Sequence, residues 1–359
     1  SLSYVAKNPK YDTNSAFCGG FAGELLGNSS LTNIEFAGYD EFSFEIIGTT
    51  TNLESIQNTK PGGKEFDGDS SDYKGENYIG GIVGRIKYTR IENARFIGSE
   101  NYKNYIRMSG HESPDSAFCG GIVGFIMVNE NNVPSSVINC AVSETEINGN
   151  ATCIDTSYGN PDIYIGGIVG AVYVHSTNSS VEISDCRLNN SNVYALGNEI
   201  IATYAGGIIA GATWQSSVNI KDCYVVNSSV KANTRTTIQN EKGNVIESSA
   251  AGIIALIGTN TTVDISNCVV IDTNIDAVVS ETIYNNNTYV RSYGAGISGF
   301  TEGNTYVPNI TNCYSNAIVN ATHSYDGASP KVYGIAYDAN IMTNTKDVNG
   351  TIEKITYKT

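Results

Sequence analysis

Short segments in which apolar and polar residues alternate recur along the whole chain. Two clear examples are VEISDCRL at 181–188 and VDISNCVV at 263–270. Both alternate with a period of two and are rich in β-branched residues, which is the pattern of a half-buried strand. No segment shows the i, i+3, i+4, i+7 apolar stripe of an amphipathic helix. The pattern therefore predicts an all-β protein.

A glycine-centred motif repeats between these segments. It reads CGGFAG at 18–23, IGGIVG at 79–84, CGGIVG at 119–124, IGGIVG at 165–170 and AGGIIAG at 205–211, and three looser copies follow. Aligned on one glycine, the copies lie 38 to 61 residues apart. The residue after that glycine is Phe21 in the first copy and isoleucine in the other seven. The anchoring glycines are Gly20, Gly81, Gly121, Gly167, Gly207, Gly252, Gly296 and Gly334.

A second motif follows each of the first seven glycines and always carries Asn or Asp at one position. Asn and Asp tolerate the left-handed backbone region better than other non-glycine residues, so a bend is expected there. Strand, bend and strand repeated in this way predict a right-handed parallel β-helix of seven to eight coils, spaced at about 4.8 Å. The Asn/Asp column is expected to form a ladder of side chains: Asn33, Asn93, Asn139, Asp185, Asp222, Asn267 and Asn312.

The repeat also predicts the domain organisation. Residues 1–349 are expected to form a single β-solenoid domain with loop insertions of variable length. The longest interval between copies indicates an insertion at about 50–77. The final segment, GTIEKITYKT at 350–359, alternates like a strand and is a candidate docking segment for the last coil or for a neighbouring molecule.

The motifs resemble those of a known group of repeats. GIVG at 81–84, 121–124 and 167–170, followed by an I-x-N-C-Y-type segment, looks like the GLUG motif of large bacterial secreted and surface proteins, among them adhesin-like proteins. The resemblance covers nearly the whole chain as a repeat pattern. It implies a secreted β-solenoid and supplies no catalytic residues.

The cysteines follow the repeat as well. Five of the eight occupy one column, and their spacings match no zinc signature. Buried reduced thiols are the favoured interpretation, because free cysteine packs like a small apolar residue. One or two disulfides between adjacent coils are the alternative, since stacked Cα atoms lie within bonding range. Cys18 and Cys119 share another column two coils apart, and Cys153 has no repeat partner. The main column is Cys140, Cys186, Cys223, Cys268 and Cys313.

An aromatic residue stands three positions before the aligned glycine in six copies. We interpret these residues as a stacked aromatic row, with a sugar-stacking face as the alternative. The row is Phe17, Tyr78, Phe118, Tyr164, Tyr204 and Tyr293.

One acidic segment, EFDGDSSDYKGEN at 65–77, is a weak candidate for a metal site. Alternating oxygen ligands suit calcium, although the positions do not fit an EF-hand loop. A solvated acidic loop is the simpler interpretation, so we expect no cofactor, with calcium as the one alternative. The candidate ligands are Asp67, Asp69, Asp72 and Glu76.

The composition limits the classes of partner that we expect this chain to bind. The net charge is −15, charged residues make up 16% of the chain, and its polarity comes mostly from 41 Asn, 35 Ser and 31 Thr. A nucleic-acid partner is not expected, because the chain has no basic stripe to replace phosphate counterions. Direct membrane insertion is not expected either, since the longest apolar stretch, 250–257, is far shorter than the about 20 residues that span a bilayer.

The sequence offers little for catalysis. Three histidines lie in polar surroundings, no hydrolase or phosphate-loop motif occurs, and outward strand residues such as Glu182 and Lys221 are mixed in sign. We therefore expect a non-enzymatic extracellular or cell-surface protein, structural or adhesive, that self-associates head-to-tail into a layer or filament. Its partners would be copies of itself, other surface proteins or glycans. The alternative is a carbohydrate-binding or polysaccharide-degrading β-helix module.

Overall fold

A computed structural model describes residues 2–6, 16–37, 45–50, 77–111, 116–128, 134–152, 162–174, 179–198, 202–213, 216–235, 245–280, 289–302, 307–323, 330–336, 340–342 and 346–347. Within these ranges all regular secondary structure is β-strand, and every strand pairs in parallel with its counterpart in a neighbouring coil. The prediction of a parallel β-helix is confirmed. Among the described residues, no helix is long and apolar enough to cross a bilayer.

Each coil passes through four parallel sheets in turn, numbered here from the strand that carries the aromatic row. Sheet 1 contains β2 Ala16–Gly19, β6 Asn77–Gly80, β10 Ala117–Gly120, β15 Asp162–Gly166, β20 Ala202–Gly206, β25 Val245–Ala251, β30 Tyr289–Ala295 and β35 Lys331–Tyr333. Sheet 2 follows the glycine turn and contains β3 Ala22–Thr32, β7 Val83–Glu92, β11 Val123–Val128, β12 Ser135–Ile138, β16 Val169–Val174, β17 Ser180–Ser184, β21 Ile209–Thr213, β22 Ser217–Lys221, β26 Ile254–Ile257, β27 Thr262–Ser266, β31 Ser298–Thr301, β32 Asn309–Thr311 and β36 Asn340–Met342.

The other two sheets complete the coil. Sheet 3 consists of short strands and contains β4 Glu35–Ala37, β8 Arg95–Ile97, β13 Ala141–Ser143, β18 Arg187–Asn189, β23 Tyr224–Val226, β28 Val269–Ile271, β33 Tyr314–Ser315 and β37 Lys346–Asp347. Sheet 4 contains β1 Leu2–Ala6, β5 Glu45–Thr50, β9 Asn104–His111, β14 Thr145–Thr152, β19 Asn192–Asn198, β24 Ser229–Arg235, β29 Asn274–Ser280 and β34 Ile318–His323.

The interior is filled by one apolar residue from each inward position of the repeat. The isoleucines that follow the anchoring glycines lie inside, and Ile82, Ile122 and Ile168 are fully buried. Phe21, the first member of that column, departs from the pattern and is 54% exposed. Burial of the whole apolar interior, of which this column is one part, favours folding by about 25 cal/mol per Å².

The anchoring glycines are needed because neighbouring coils approach closely. A Cβ atom on Gly167 would lie 2.0 Å from the carbonyl oxygen of Gly207, and the same short approach recurs from Gly81 to Gly121 and from Gly121 to Gly167. The backbone N–H of Gly167 donates instead to the carbonyl of Gly206. A side chain at this position would separate two coils that are hydrogen-bonded to each other.

Two bends in each coil use the left-handed backbone region. The Asn/Asp column lies at the bend between sheets 2 and 3, with φ of 51° to 58° at all seven positions. A second column bends the chain between sheets 3 and 4, with φ of 47° to 49° at Glu144, Asn190, Asn227 and Asp272. The sequence reasoning found the first column and missed the second. The second column does not consist of Asn and Asp alone, because it includes Glu144, and glutamate is uncommon in the left-handed region.

Candidate binding cleft

Sheets 1 and 2 meet at a corner of the coil, and the outer faces of the two sheets turn toward each other there. Rings from the two sheets touch there: the centroids of Phe118 and Phe125 are 4.6 Å apart, and those of Tyr78 and Phe125 are 5.0 Å apart. These residues form an apolar cluster separate from the interior of the coils. The corner is therefore a cleft on the outside of the β-helix, and we call it the corner cleft.

The aromatic row forms the sheet 1 wall of the corner cleft. Ring centroids of consecutive members are 5.0–5.4 Å apart from Phe17 to Tyr204, and the rings are stacked. Ser249 takes the next place in register, and Tyr293 stacks on Phe300 of sheet 2. Because the rings cover each other's faces, Tyr164 and Tyr204 are only 6% exposed. A sugar ring could not lie flat on faces that are already covered.

Sheet 2 forms the other wall of the corner cleft, and the size of its side chains differs from coil to coil along the column that faces the aromatic row. In register it carries Arg85, Phe125, Ala171, Gly211, Leu256 and Phe300. Large side chains fill the corner at both ends, whereas Ala171 and Gly211 are small, and the ring of Tyr164 packs against Gly211 where a side chain would otherwise lie. A hollow of about 400 Å³ opens beside Tyr164, Tyr204 and Leu256. Its lining includes Phe118, Tyr173, Thr213, Asn260 and Glu302.

Asp162 supplies a carboxyl group to the hollow. It is partly buried, and its Oδ2 accepts a hydrogen bond of 3.2 Å from the hydroxyl of Tyr164. Burial raises the pKa of Asp162 to about 7, with a smaller contribution from the charge of Glu302, while the Tyr164 hydrogen bond lowers it in part. The group therefore changes charge near neutral pH.

Glu247 lies two coils further along the same column, with Ala202 between them in register. Their Cα atoms are therefore about 10 Å apart, at about 4.8 Å per coil. Glu247 is 4% exposed, and its Oε1 has no hydrogen-bond partner among the described residues. Its Oε2 lies 3.9 Å from a guanidinium nitrogen of Arg291. Burial raises the pKa of Glu247 to about 8, and the charge of Arg291 and a hydrogen bond from Tyr204 offset only part of that effect.

The two tyrosines beside these carboxyl groups stay protonated. Burial is the main cause that raises the pKa of Tyr164 and of Tyr204 well above its ordinary value. Both can therefore donate a hydrogen bond to a carboxylate but do not act as bases. The hollow thus combines neutral phenols with a carboxyl group, that of Asp162, which ionises near neutral pH.

The predicted side-chain ladder runs over most, but not all, of its length. Asn93 Nδ2 donates to Asn33 Oδ1 at 2.9 Å, and Asn139 Nδ2 donates to Asn93 Oδ1 at 2.7 Å. The ladder is interrupted at Asp185 and Asp222, because neither carboxylate can donate to the preceding residue. It resumes where Asn267 Nδ2 donates to Asp222 at 3.1 Å and Asn312 Nδ2 donates to Asn267 at 3.4 Å.

The cysteine column lies inside the coils. All seven described cysteines, including Cys18 and Cys119, are buried free thiols, and Cys18 and Cys119 are both in register with Ile79 of the coil between them. Each thiol of the main column lies 3.3–3.4 Å from the carbonyl oxygen two residues earlier, as Cys186 does from Ser184. Burial raises the pKa of Cys186 well above its ordinary value, so this thiol is unreactive.

Several sequence predictions fall on residues outside the described ranges. The calcium candidates Asp67, Asp69, Asp72 and Glu76, most of the insertion at 50–77, Cys153 and the segment 350–359 all lie there. Within the described residues, no group of three or more His, Cys, Asp or Glu side chains is arranged to hold a metal ion. On the outer face, Lys221 Nζ lies 2.7 Å from Glu182 Oε1, so these two charges pair with each other.

Sequence reasoning missed the corner cleft and its carboxyl groups. It judged outward residues by whether they recurred in every repeat, and Asp162 and Glu247 are exceptions within their column. The available signal was a comparison across repeats: Asp162, Ala202, Glu247 and Arg291 stand two positions before the place of the aromatic row. A column that alternates among acidic, small and basic residues indicates a local site, since a structural position would repeat.

Comparisons with known proteins give no assignment. No family model, no curated protein and no solved structure matches the chain.

Proposed function

We propose that this chain is a non-enzymatic, extracellular or cell-surface repeat protein that acts as a rigid spacer and adhesive element. The observation that carries the proposal is the corner cleft with its central hollow of about 400 Å³. The hollow lies on the outside of a fold whose other distinctive columns, the side-chain ladder and the thiols, have structural roles. A recognition surface on a stiff rod is what an adhesive module requires.

Several features support a surface location. The chain is acidic, with a net charge of −15, and its polarity comes mainly from uncharged amides and hydroxyls. The resemblance to GLUG repeats points to secreted bacterial proteins. Head-to-tail self-association remains part of the proposal, because a β-helix presents strand edges at its ends and an open edge recruits a further strand.

A second candidate function is polysaccharide cleavage. It is favoured by Asp162 and Glu247, two carboxyl groups whose pKa values of about 7 and about 8 would leave Asp162 ionised as a base and Glu247 protonated as an acid between these values. Inverting glycosidases use such a pair, an acid and a base, separated by about 6.5–9.5 Å. The two residues here lie in one column with one coil between them.

A screen against polysaccharides separates the two functions. Wild-type protein and Asp162→Asn would be incubated with a panel of soluble polysaccharides, and both retention on the polymer and release of reducing ends would be measured. Binding without cleavage supports the adhesive role. Cleavage that Asp162→Asn abolishes would replace the adhesive role with the second candidate. If the protein showed no binding and no cleavage, only the spacer role would remain.

A further inference from the structure

The hollow of the corner cleft carries an excess of negative charge. Asp162 and Glu302 line it. Glu247 lies in the same column as Asp162, and its charge raises the pKa of Tyr164 and of Tyr204. Among the described residues, the one ion pair that these three carboxyl groups make is between Glu247 and Arg291, at 3.9 Å. When all three carboxyl groups are ionised, the site therefore holds about two uncompensated negative charges. Glu302 is exposed and its charge is solvated, but the charges of partly buried Asp162 and of buried Glu247 are costly unless a partner supplies the opposite sign.

The same corner shows what such a partner looks like. Two coils earlier, the guanidinium carbon of Arg85 lies 4.4 Å from the ring centroid of Phe17 and 5.3 Å from that of Tyr78. Arg85 also pairs with Glu24 of the neighbouring coil. Arg85 occupies the sheet 2 column in which the coils of Tyr164 and Tyr204 carry the small residues Ala171 and Gly211. At its N-terminal end, the repeat therefore fills this position with its own guanidinium group.

We propose that the hollow over Tyr164 and Tyr204 binds an organic cation, a guanidinium or primary ammonium group brought by an external ligand. Asp162 and Glu302 line the hollow with carboxyl groups, and carboxylates form charge-assisted hydrogen bonds with such groups. The unpartnered Oε1 of Glu247 supplies an acceptor next to the site. This inference rests on the recognition role proposed above and names the chemistry of its ligand.

The geometry favours an organic cation over the other ligand classes. Calcium needs six to eight oxygen ligands at 2.3–2.6 Å. Carboxyl groups on strands two coils apart, at about 10 Å, do not converge in that way. A neutral sugar would leave the negative charge uncompensated, and the ring faces on which it would stack are covered by neighbouring rings. A guanidinium group has five N–H donors in a flat fork and can reach more than one carboxylate.

The test uses a charged probe and a neutral probe of the same shape. N-acetyl-arginine amide and N-acetyl-citrulline amide would be titrated calorimetrically into the full chain at pH 8.5, where the carboxyl groups ionise. We expect the arginine derivative to bind at least about tenfold more tightly, because only it carries the charge. Asp162→Asn should remove that difference. Glu182→Gln, on the outer face and paired with Lys221, should leave it unchanged.

A second pair of probes identifies the source of the cation. Glucosamine and glucose would be titrated in the same way. Binding of the arginine derivative alone indicates a polypeptide side chain, and binding of glucosamine alone indicates an amino sugar; either outcome supports the proposal. Equal binding of glucose and glucosamine, or of the two amides, would overturn the proposal that the ligand is a cation. It would still support a recognition role for the hollow. Binding of no probe overturns the cation as well, while the polysaccharide screen still decides the adhesive role.

An internal cation provides an independent check. Thr213 lines the hollow and corresponds in register to Lys87, Met127 and Tyr173 of earlier coils. Thr213→Arg should place a guanidinium group in the hollow and so block binding of the arginine derivative. Its midpoint of thermal unfolding at pH 8.5 should lie above that of Thr213→Met. A lower midpoint for Thr213→Arg than for Thr213→Met would show that the hollow rejects a cation.

Discussion

Burial of Glu247 should make the protein less stable as the pH rises through neutrality. Its pKa is raised from 4.5 to about 8 in the folded protein, so between these values the unfolded chain has released a proton that the folded chain still holds. The free energy of unfolding therefore falls as the pH rises from about 4.5 to about 8 and is level above that range. This is the opposite of the usual contribution from an ion-paired carboxylate.

The size of the effect follows from the shift. A change of about 3.5 pKa units corresponds to about 5 kcal/mol at most, at about 1.4 kcal/mol per unit. Glu247→Gln keeps the shape and removes the ionisation, so we expect the variant to lose this part of the pH dependence. At pH 9 it should be more stable than wild type by up to that amount, and at pH 4 the two should be nearly equal.

Urea denaturation at five pH values between 4 and 9 would measure the effect. Glu182→Gln is a matched control of opposite sign, because the hydrogen bond and charge of Lys221 lower the pKa of Glu182. Its stabilising contribution is present above pH 4.5 and is lost as the pH falls. If wild type and Glu247→Gln gave parallel curves across the range, the reasoning about the buried carboxyl group would be refuted.

Four further predictions concern the repeat itself. Asn267→Leu should lower the free energy of unfolding by about 1–2 kcal/mol, since it removes the two ladder hydrogen bonds of Asn267 and strains a residue at φ 54°; Asn267→Gly, which tolerates that backbone, should lose less. Gly167→Ala should cost about 3 kcal/mol in chemical denaturation because its Cβ would meet the Gly207 carbonyl at 2.0 Å, whereas in Gly258→Ala the nearest atom would be 3.2 Å away and the cost should be small. Thiol titration of denatured, unreduced protein should find close to eight free thiols, and a count of four or fewer would contradict the reduced column. Light scattering should show the full chain self-associating and a chain ending at Asn349 associating less; two monomers at high concentration would rule out the terminal segment as a docking element.

The sequence predicted the fold well because the repeat averages over local ambiguity. One alternating segment such as VEISDCRL is weak evidence for a strand, but seven such segments in phase with a glycine motif exclude most other folds. The Asn/Asp column was also recognisable, because left-handed backbone selects few residue types. Columns of this kind are visible whenever the same physical demand recurs in each coil.

The corner cleft was not predictable in the same way, because it depends on differences between coils. Nothing in the sequence shows that the outer faces of sheets 1 and 2 turn toward each other. Without that fact, Gly211 and Ala171 are ordinary small residues, and Asp162 and Glu247 are isolated acids. Only the packing of sheets 1 and 2 against each other shows that Asp162, Tyr164 and Tyr204 line a hollow.

The glycine column also limits how a chain of this kind can change over evolution. The close contact between Gly167 and Gly207 is made by backbone atoms alone, so it does not depend on which coil is above or below. A duplication or deletion of one whole repeat would recreate the same contact at the new junction. Loss or gain of part of a coil would instead place a side chain against a carbonyl group. We therefore expect related proteins to differ by whole coils and by loop insertions, and to keep the coil-to-coil contact unchanged.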